Sequence, residues 1–489
     1  MNFPLATATG LLLVLIFPRF NLVWLAPVAL APLLFALARE PRPLRRFLLG
    51  CVSGVVFWFG VCYWIQFVLA VHGGLGEAAG WAVFLLFCLA KSMHLGVFAW
   101  LAGKILRTAL APPAIAALWV AIEATHGSLG FAWLALGNAG LEMNLPMRLA
   151  PHTGVYGLSF IFAAMSALLA LALLRESRRR LLWLCGLPLL ILLPPLPQPD
   201  TGRAAAVVVQ PNLSESGHWT ADSVRQATRR LAYLSMTAAL ATKGPKPDLI
   251  LWPEMPAPLY YDTDPRFREE TATLARVTRA PVLTGTVAHL PDGSVTNSAV
   301  LVSEAGDPLS RYDKIHLVPF GEFVPWPLGF ATKISTETGD FRAGENLVVS
   351  SIGGHSIAAF ICYESVFPGF VRRFALNGAE VLFNLSNDGY FDHSAARDQH
   401  LSIVRMRAAE NRRWILRPTN NGITAAVDPA GRVSEALAVE REAAAVMRFS
   451  YIRETTLYTR FGDWFPALCA LISAAALVWS AIPKYSPEV

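Results

Sequence analysis

Three side chains in the second half of this sequence can do covalent chemistry as a set. Glu254 closes LILWPE (249–254), Lys314 lies in SRYDKIHLVPFGE (310–322), and Cys362 ends the apolar run in FICYE (360–364). Singly, each has a plainer reading. A Glu after a Pro at a strand end is most often a helix-start carboxylate. A Lys beside an Asp is usually a surface ion pair of little energetic worth, and a lone Cys is more often a core thiol than a nucleophile. Together they have a chemical logic. A thiol needs a base, and a carboxylate in a partly dry pocket can take its proton. A neighbouring ammonium favours the thiolate and can hold the oxyanion formed when that thiolate attacks an acyl carbon. Glu, Lys and Cys are therefore self-consistent for acyl transfer through a thioester. No CxxC or HExxH motif occurs, and neither zinc nor any metal or organic cofactor is implied.

Elements that can position these residues are legible around them. AAAVVVQPN (204–212), DLILWPE (248–254), PVLTGTV (281–287), TNSAVLVS (296–303), IAAFICYE (357–364), EVLFNLSND (380–388) and ITAAVDPAGR (423–432) read as strands, and 223–242 has helical periodicity. Apolar runs of this length fit strands covered on both faces. The expectation is a layered α/β domain with sheets inside and helices outside. All three reactive residues fall at or just past strand ends, where such folds gather catalytic groups.

The rest of the chain is different in kind. Of 489 residues, 54% are hydrophobic and only 16% charged, against about 25% charged in a soluble domain. The deficit lies in the first 200 residues and a short C-terminal stretch. A spanning helix needs about 20 mostly apolar residues. The candidates are 4–19, 21–38, 47–71, 79–102, 109–127, 154–174, 181–197 and 463–482, about eight transmembrane helices in all. The expected organisation is spans one to seven in 1–200, a water-exposed catalytic domain in 201–455 and a last span in 456–489. The net charge of +6 does not point to nucleic acid, because much of the surplus sits in clusters such as REPRPLRR (39–46) and RESRRR (175–180). Arg39, Arg42, Arg45, Arg46, Lys104, Arg107, Arg175, Arg178, Arg179, Arg180 and Lys484 fall on one side, against Arg19 and Arg148 on the other. The positive-inside rule then puts both termini in the cytoplasm and the large domain outside, which is the periplasm for an inner-membrane protein. Cys51, Cys62, Cys88, Cys185 and Cys469 lie in predicted spans. Cys362 is thus alone in an oxidising compartment, where thiols usually pair; it is either inert and buried or kept for its chemistry. Lys91, His94 and Glu123 lie inside spans, where structural pairing is the expected role.

In order and spacing, LILWPE, RYDKIHLVPFGE, FICYE and NLSNDGYF (384–391) resemble the carbon–nitrogen hydrolase (nitrilase) superfamily over residues 204 to 450. With the spans added, the whole chain resembles the apolipoprotein N-acyltransferase family. That resemblance implies an α-β-β-α sandwich and a general base at Glu254. It implies an oxyanion-stabilising ammonium at Lys314 and a nucleophile at Cys362. It also implies supporting or substrate-binding roles for Glu322, Tyr363, Glu364 and, by a looser match in NLSESGHWT (212–220), Trp219. FAWLALGNAG (131–140) resembles the family's outward membrane arm. The implied reaction moves an acyl chain from a phospholipid, phosphatidylethanolamine in particular, to the N-terminal amine of a diacylglyceryl-cysteine apolipoprotein, and a monomer suffices for it. Tyr390 stands where many members carry Trp.

Two other features bear on this reading. LVPFGEFVPWPLGF (317–330) places Phe320, Phe323 and Trp326 in a Pro-rich stretch, which is either a loop folded into the domain or a lid dipping into the outer leaflet, where aromatics favour the interface. Rival functions are a membrane-bound nitrilase or amidase hydrolysing a small C–N bond, since water and an amine resolve a thioester alike, and a non-catalytic nitrilase-like sensor. Eight spans exceed what a tether needs, and the sensor predicts loss of a triad that is present.

Overall fold

The computed structural model describes residues 2–108, 110–128, 131–175, 178–214, 219–241, 246–255, 257–323 and 341–482. The chain forms two compact units, one of residues 1–65, 81–196 and 461–489, the other of 66–80 and 197–460.

The first unit is helical. Among the described residues, Pro43–Cys62, Gly76–Ile105, Val155–Leu173 and Trp464–Ala481 are long and apolar enough to cross a membrane. Ala111–Ser128 is a further helix that carries Glu123. The two expected N-terminal spans are shorter elements, Asn2–Leu15 and Ala31–Arg39, with the 3₁₀ turn Val23–Val28 between them. A helix of 14 residues reaches about 21 Å at 1.5 Å per residue, short of a hydrocarbon core of about 30 Å. Pro18, Pro27 and Pro32 interrupt what hydropathy alone reads as continuous. The expected span 181–197 also differs: Arg178–Leu192 is a 3₁₀ helix with Pro188 inside it. Polar side chains tie the bundle where water is absent. Ser53 Oγ donates to Ala6 O (2.8 Å), and Thr9 Oγ1 accepts from Leu33 N (2.9 Å).

Lys91 and Glu123 are hydrogen-bonded within the helical unit, and His94 makes a ring contact. Lys91 Nζ lies 2.6 Å from His126 Nδ1 and donates to Phe131 O at 3.0 Å, while His94 stacks on His126 at 4.1 Å. Glu123 Oε1 accepts from Trp119 Nε1 (3.1 Å) and Leu136 N (2.7 Å), and Ser159 Oγ accepts from Gly137 N (2.8 Å). The segment 131–140 is thereby fastened down, with Trp133 and Leu136–Gly140 buried.

The second unit contains two six-stranded sheets. The first has β1 (Ala204–Gln210), β2 (Leu249–Leu251), β3 (Val282–His289), β4 (Val295–Val302), β5 (Pro308–Asp313) and β12 (Ala443–Phe449), in the order β12-β1-β2-β3-β4-β5. The second has β6 (Ser350–Ile352), β7 (His355–Ile361), β8 (Val381–Leu385), β9 (Ile415–Arg417), β10 (Ala425–Val427) and β11 (Val433–Ala436), in the order β11-β10-β9-β8-β7-β6. Strand alternation builds the layers. Ala206, Val208, Leu249, Leu251 and Leu283 join one core with Phe360, Leu382 and Leu416 of the other sheet. The alternate residues Val207, Val209, Ile250 and Val282 pack instead with Leu231 and Phe267, from the helices Ala221–Ala241 and Pro265–Thr278. This is the nitrilase-like arrangement of paired sheets with helices outside.

The central strands β1-β2-β3 and β7-β8-β9 are parallel, so each sheet presents its strands' carboxyl ends together. Glu254 follows β2, Lys314 follows β5, Cys362 follows β7 and Asp388 follows β8. Gly285 in β3 lets the sheet pass the backbone at Glu254. A Cβ there would sit 2.5 Å from Pro253 O, 2.6 Å from Met255 N and 2.8 Å from Glu254 Cα. Backbone cannot yield as a flexible side chain does, so Gly285→Ala should displace Glu254 and cost about 1–3 kcal/mol by overpacking. Thermal unfolding in detergent should show the loss.

Candidate active site

The three strand ends converge on one buried cluster. Lys314, only 1% exposed, extends Nζ to Glu254 Oε1 at 3.0 Å and to Glu322 Oε1 at 2.9 Å. Asn297, near the start of β4, donates Nδ2 to the same two oxygens at 2.8 and 2.6 Å. Each carboxyl oxygen is thus shared by one ammonium and one amide, which lets two like groups lie side by side. The outer oxygens are also held. Asn387 N donates to Glu254 Oε2 (2.9 Å) and Val318 N to Glu322 Oε2 (2.8 Å). Burial works against the Lys314 charge, yet Glu254, then Glu322, hold it well above the ordinary lysine value. Lys314 therefore stays an ammonium. Among the described residues, two of its three N–H groups go to carboxyls, which leaves one for a reacting oxygen.

Cys362 is the first residue of a 3₁₀ turn, Cys362–Val366, that leaves the end of β7. Its φ is +48°, a left-handed conformation that costs a residue with a Cβ and persists where the surroundings enforce it. Those surroundings include Glu364. Its Oε1 accepts from Tyr312 Oη (2.6 Å), Ile315 N (2.7 Å) and His316 N (3.2 Å), and its Oε2 accepts from Ile361 N (2.7 Å). Glu364 thereby staples the turn at Cys362 to the segment that follows Lys314. Burial pushes its carboxyl up to about 7 against those donors.

The Cys362 thiol is buried, and burial, then the Glu254 charge, push it far above its ordinary value; Lys314 only partly offsets them. Lys314 favours the thiolate, as the sequence suggests, but burial and the Glu254 charge outweigh it, so the thiol keeps its proton until a nearby carboxylate takes it.

The other expected site residues distribute unevenly. Tyr363 is buried, its ring edge-on to Phe367 at 5.3 Å. Trp219 packs instead on the outer, helix-facing core of the first sheet, with Leu213 and Val224. Phe320 and Phe323 are half-buried in a tight turn, where Phe320 N donates to Phe323 O at 2.7 Å, and Trp326 lies outside the described residues. Asn297 and Asn387 were not singled out from the sequence. A polar amide opening the apolar run TNSAVLVS, and two Asn with an Asp in NLSND at a strand end, were the available signals.

Comparison with known proteins bears on this geometry. Residues 203–455 match the carbon–nitrogen hydrolase family, and residues 9–168 match the apolipoprotein N-acyltransferase N-terminal domain. The apolipoprotein N-acyltransferase of Geobacter metallireducens is 31% identical over 98% of this chain and 94% of its own length. Those of Methylococcus capsulatus (32%, 95% of this chain, 94% of its own) and Azotobacter vinelandii (31%, 99% and 96%) are as similar. The chain belongs to the apolipoprotein N-acyltransferase family. It is an N-acyltransferase enzyme with a carbon–nitrogen hydrolase catalytic domain and a membrane-associated helical region. Among solved structures, an amidase from Nesterenkonia sp. aligns over 54% of this chain and 94% of its own at 18% identity, with a TM-score of 0.38.

Two outcomes follow from the cluster. Asn297→Asp would turn a shared donor into a third acidic group, and should cost about 3–5 kcal/mol of stability, as breaking a buried ionic network does; thermal unfolding reads this directly. Because the thiol is displaced upward, less thiolate is present at any given pH than in a free cysteine. Alkylation of Cys362 by iodoacetamide should therefore keep rising through pH 9, the ordinary thiol value, and a plateau below pH 8 would contradict the burial argument.

Proposed function

We propose that this enzyme transfers an acyl chain from a membrane phospholipid, phosphatidylethanolamine in particular, to the N-terminal amine of a diacylglyceryl-cysteine apolipoprotein. The observation that carries the reading is a buried thiol at a strained turn, together with a Lys314 ammonium held by two carboxyl groups, in a chain that also has helices long and apolar enough to cross a membrane.

Glu254 takes the Cys362 proton as Sγ attacks the ester carbonyl. A C–S bond forms, and the oxyanion is met by the remaining Lys314 N–H. The carbon–oxygen bond then breaks, Glu254 returns the proton to the departing alkoxide, and lysophospholipid leaves a thioester on Cys362. In the second half-reaction the apolipoprotein amine attacks that thioester. A C–N bond forms and the C–S bond breaks. Glu254 accepts the amine's proton and passes it to the thiolate, which restores the resting site. Kinetics of the ping-pong type follow. Glu322 and Asn297 keep Lys314 and Glu254 in register, Glu364 holds the nucleophile's turn, and Tyr363 contributes to substrate binding.

The distribution of Lys and Arg supports an orientation with both termini in the cytoplasm and residues 201–455 in the periplasm. Eight apolar segments enter the inner membrane on this reading, seven within 1–200 and one within 456–489, the two short N-terminal helices not reaching across it alone. Past Arg178–Arg180, the 3₁₀ stretch to Leu192 reaches about 24 Å at about 2.0 Å per residue, and 193–197 carry it on toward the width of the hydrocarbon core. A monomer is sufficient for both half-reactions.

Intact-protein mass spectrometry after incubation with phosphatidylethanolamine tests the reading. A hydroxylamine-sensitive acyl adduct is expected on wild type and not on Cys362→Ala. No adduct on folded wild type with lipid present would favour hydrolysis of a small amide instead.

A further inference from the structure

Beneath the nucleophile lies a polar cluster that the steps above do not use. His400, Asp388, Arg417 and Ser365 are all fully buried. His400 comes from the helix Ala396–Asn411, Asp388 from the turn after β8, and Arg417 is the last residue of β9. His400 Nε2 lies 3.1 Å from Cys362 O and 2.9 Å from Ser365 Oγ. Its Nδ1 lies 2.9 Å from an Arg417 guanidinium nitrogen and 3.2 Å from Asp388 Oδ1.

The partners decide the tautomer. A carbonyl oxygen only accepts, so Nε2 carries the proton that faces Cys362. A guanidinium only donates, so Nδ1 is bare and accepts from Arg417. The Arg417 contact, at 2.9 Å, is shorter than the 3.2 Å to Asp388 Oδ1, and Arg417 (2.7 Å) and Ser386 Oγ (3.1 Å) also donate to that oxygen. Burial, then the Arg417 charge, pull His400 below its ordinary value, which keeps the imidazole neutral. Arg417 is itself fixed by a second bond to Asp388 (2.9 Å) and by Asn384 Oδ1 (3.1 Å).

The atom at the end of this chain matters. Cys362 O belongs to the peptide plane leaving the left-handed residue, and the only other donor to it among the described contacts is a longer one, Asn384 Nδ2 at 3.4 Å. In a trans peptide the C=O and the following N–H point oppositely, so fixing the carbonyl fixes the Tyr363 N–H. A backbone N–H just after a nucleophile is placed to meet a developing oxyanion. We propose that His400 is a positioning residue for acyl transfer: its Nε2–H pins the Cys362 carbonyl and so orients the peptide that presents the Tyr363 N–H to the reacting acyl oxygen, with Arg417 and Asp388 selecting the tautomer. The inference rests on the Cys362 thioester reading.

Two near-isosteric variants test it. His400→Gln keeps an N–H close to the Nε2 position. His400→Asn keeps a polar group near Nδ1, able to accept from Arg417, but does not reach Cys362 O. Two rates on Cys362 are compared: acylation by a short p-nitrophenyl ester and by phosphatidylethanolamine in detergent, and alkylation by iodoacetamide, which develops no oxyanion. The Asn variant should acylate about 10²-fold more slowly, the loss typical of one oxyanion donor, with alkylation within about threefold of wild type. The Gln variant should recover most of that loss. Acylation by the Asn variant at the wild-type rate would overturn the assignment. So would parallel losses of acylation, alkylation and melting temperature in both variants, which would make His400 structural only. If the short ester acylates wild type but phosphatidylethanolamine does not, the phospholipid reading falls while the two variants still judge His400 on the ester. If neither acylates wild type, both inferences fall.

Discussion

One ammonium organises the catalytic unit. Taking a charge out of water costs several kcal/mol per ion even after relaxation, and Lys314 is 1% exposed. Its partners must therefore be close, numerous and fixed. Glu254 and Glu322 meet it at 3.0 and 2.9 Å, and Asn297 bridges the same two oxygens. The fold reads as what is needed to bring these four side chains to one point. β2 delivers Glu254, the antiparallel pair β4-β5 delivers Asn297 and Lys314, and the turn after Lys314 returns Glu322, whose carbonyl accepts from Phe341 N at 3.0 Å. Removal of any one partner leaves an unpaired group in a dry site, so the cluster behaves as a unit.

Much of this was legible in the sequence, for a physical reason. Residues that do chemistry at strand ends interrupt apolar runs, so Glu254 and Cys362 stood out. Their strands β2 and β7 were read because both faces are covered. The strands missed were of two kinds. β5, β6, β11 and β12 are the edge strands of their sheets and largely exposed or half-buried, as in PLSRYD and VSEA, and β9 is only three residues long. Arg417 was lost with β9. His400 had no signal at all, because a histidine inside ARDQHLSIVRMRAAEN looks like any half-polar helix residue until its neighbours from β8, β9 and the Cys362 turn are in place. Trp219 shows the converse, since a motif match put it with the site while the described contacts place it on the helix-facing core.

The membrane-associated unit departed from hydropathy for a related reason. Hydropathy counts apolar residues and is blind to the backbone. Pro18, Pro27 and Pro32 divide the first 40 residues into short helices, and Pro188 accompanies a 3₁₀ rather than an α-helical stretch. Where intrahelical bonds are broken in an apolar environment, the freed groups must find partners. The buried ionisable residues supply some of them. Lys91 donates to the Phe131 carbonyl and Glu123 accepts from the Leu136 N–H. These side chains therefore fasten an irregular segment, which accounts for their depth without assigning them to catalysis.

The electrostatics of the site constrain how the reaction can run. One ammonium faces two carboxyl groups beside a neutral thiol, and releasing the thiol's proton to solvent would add a further negative charge to a pocket that already pushes the thiol upward. On the proposed mechanism, passing the proton to Glu254 leaves the total unchanged, because one carboxylate is neutralised as one thiolate forms. The same count holds when the tetrahedral oxyanion replaces the thiolate, and again when Glu254 returns the proton to the leaving oxygen. A dry site can run such a cycle because each step moves charge over a few ångströms and none requires an ion to be created or lost. The demand then falls on geometry: the oxyanion must arise where fixed donors already point. On the proposed mechanism, the conformation of the Cys362 peptide, a left-handed turn whose carbonyl lies 3.1 Å from His400 Nε2, then matters as much to the chemistry as the identity of the nucleophile.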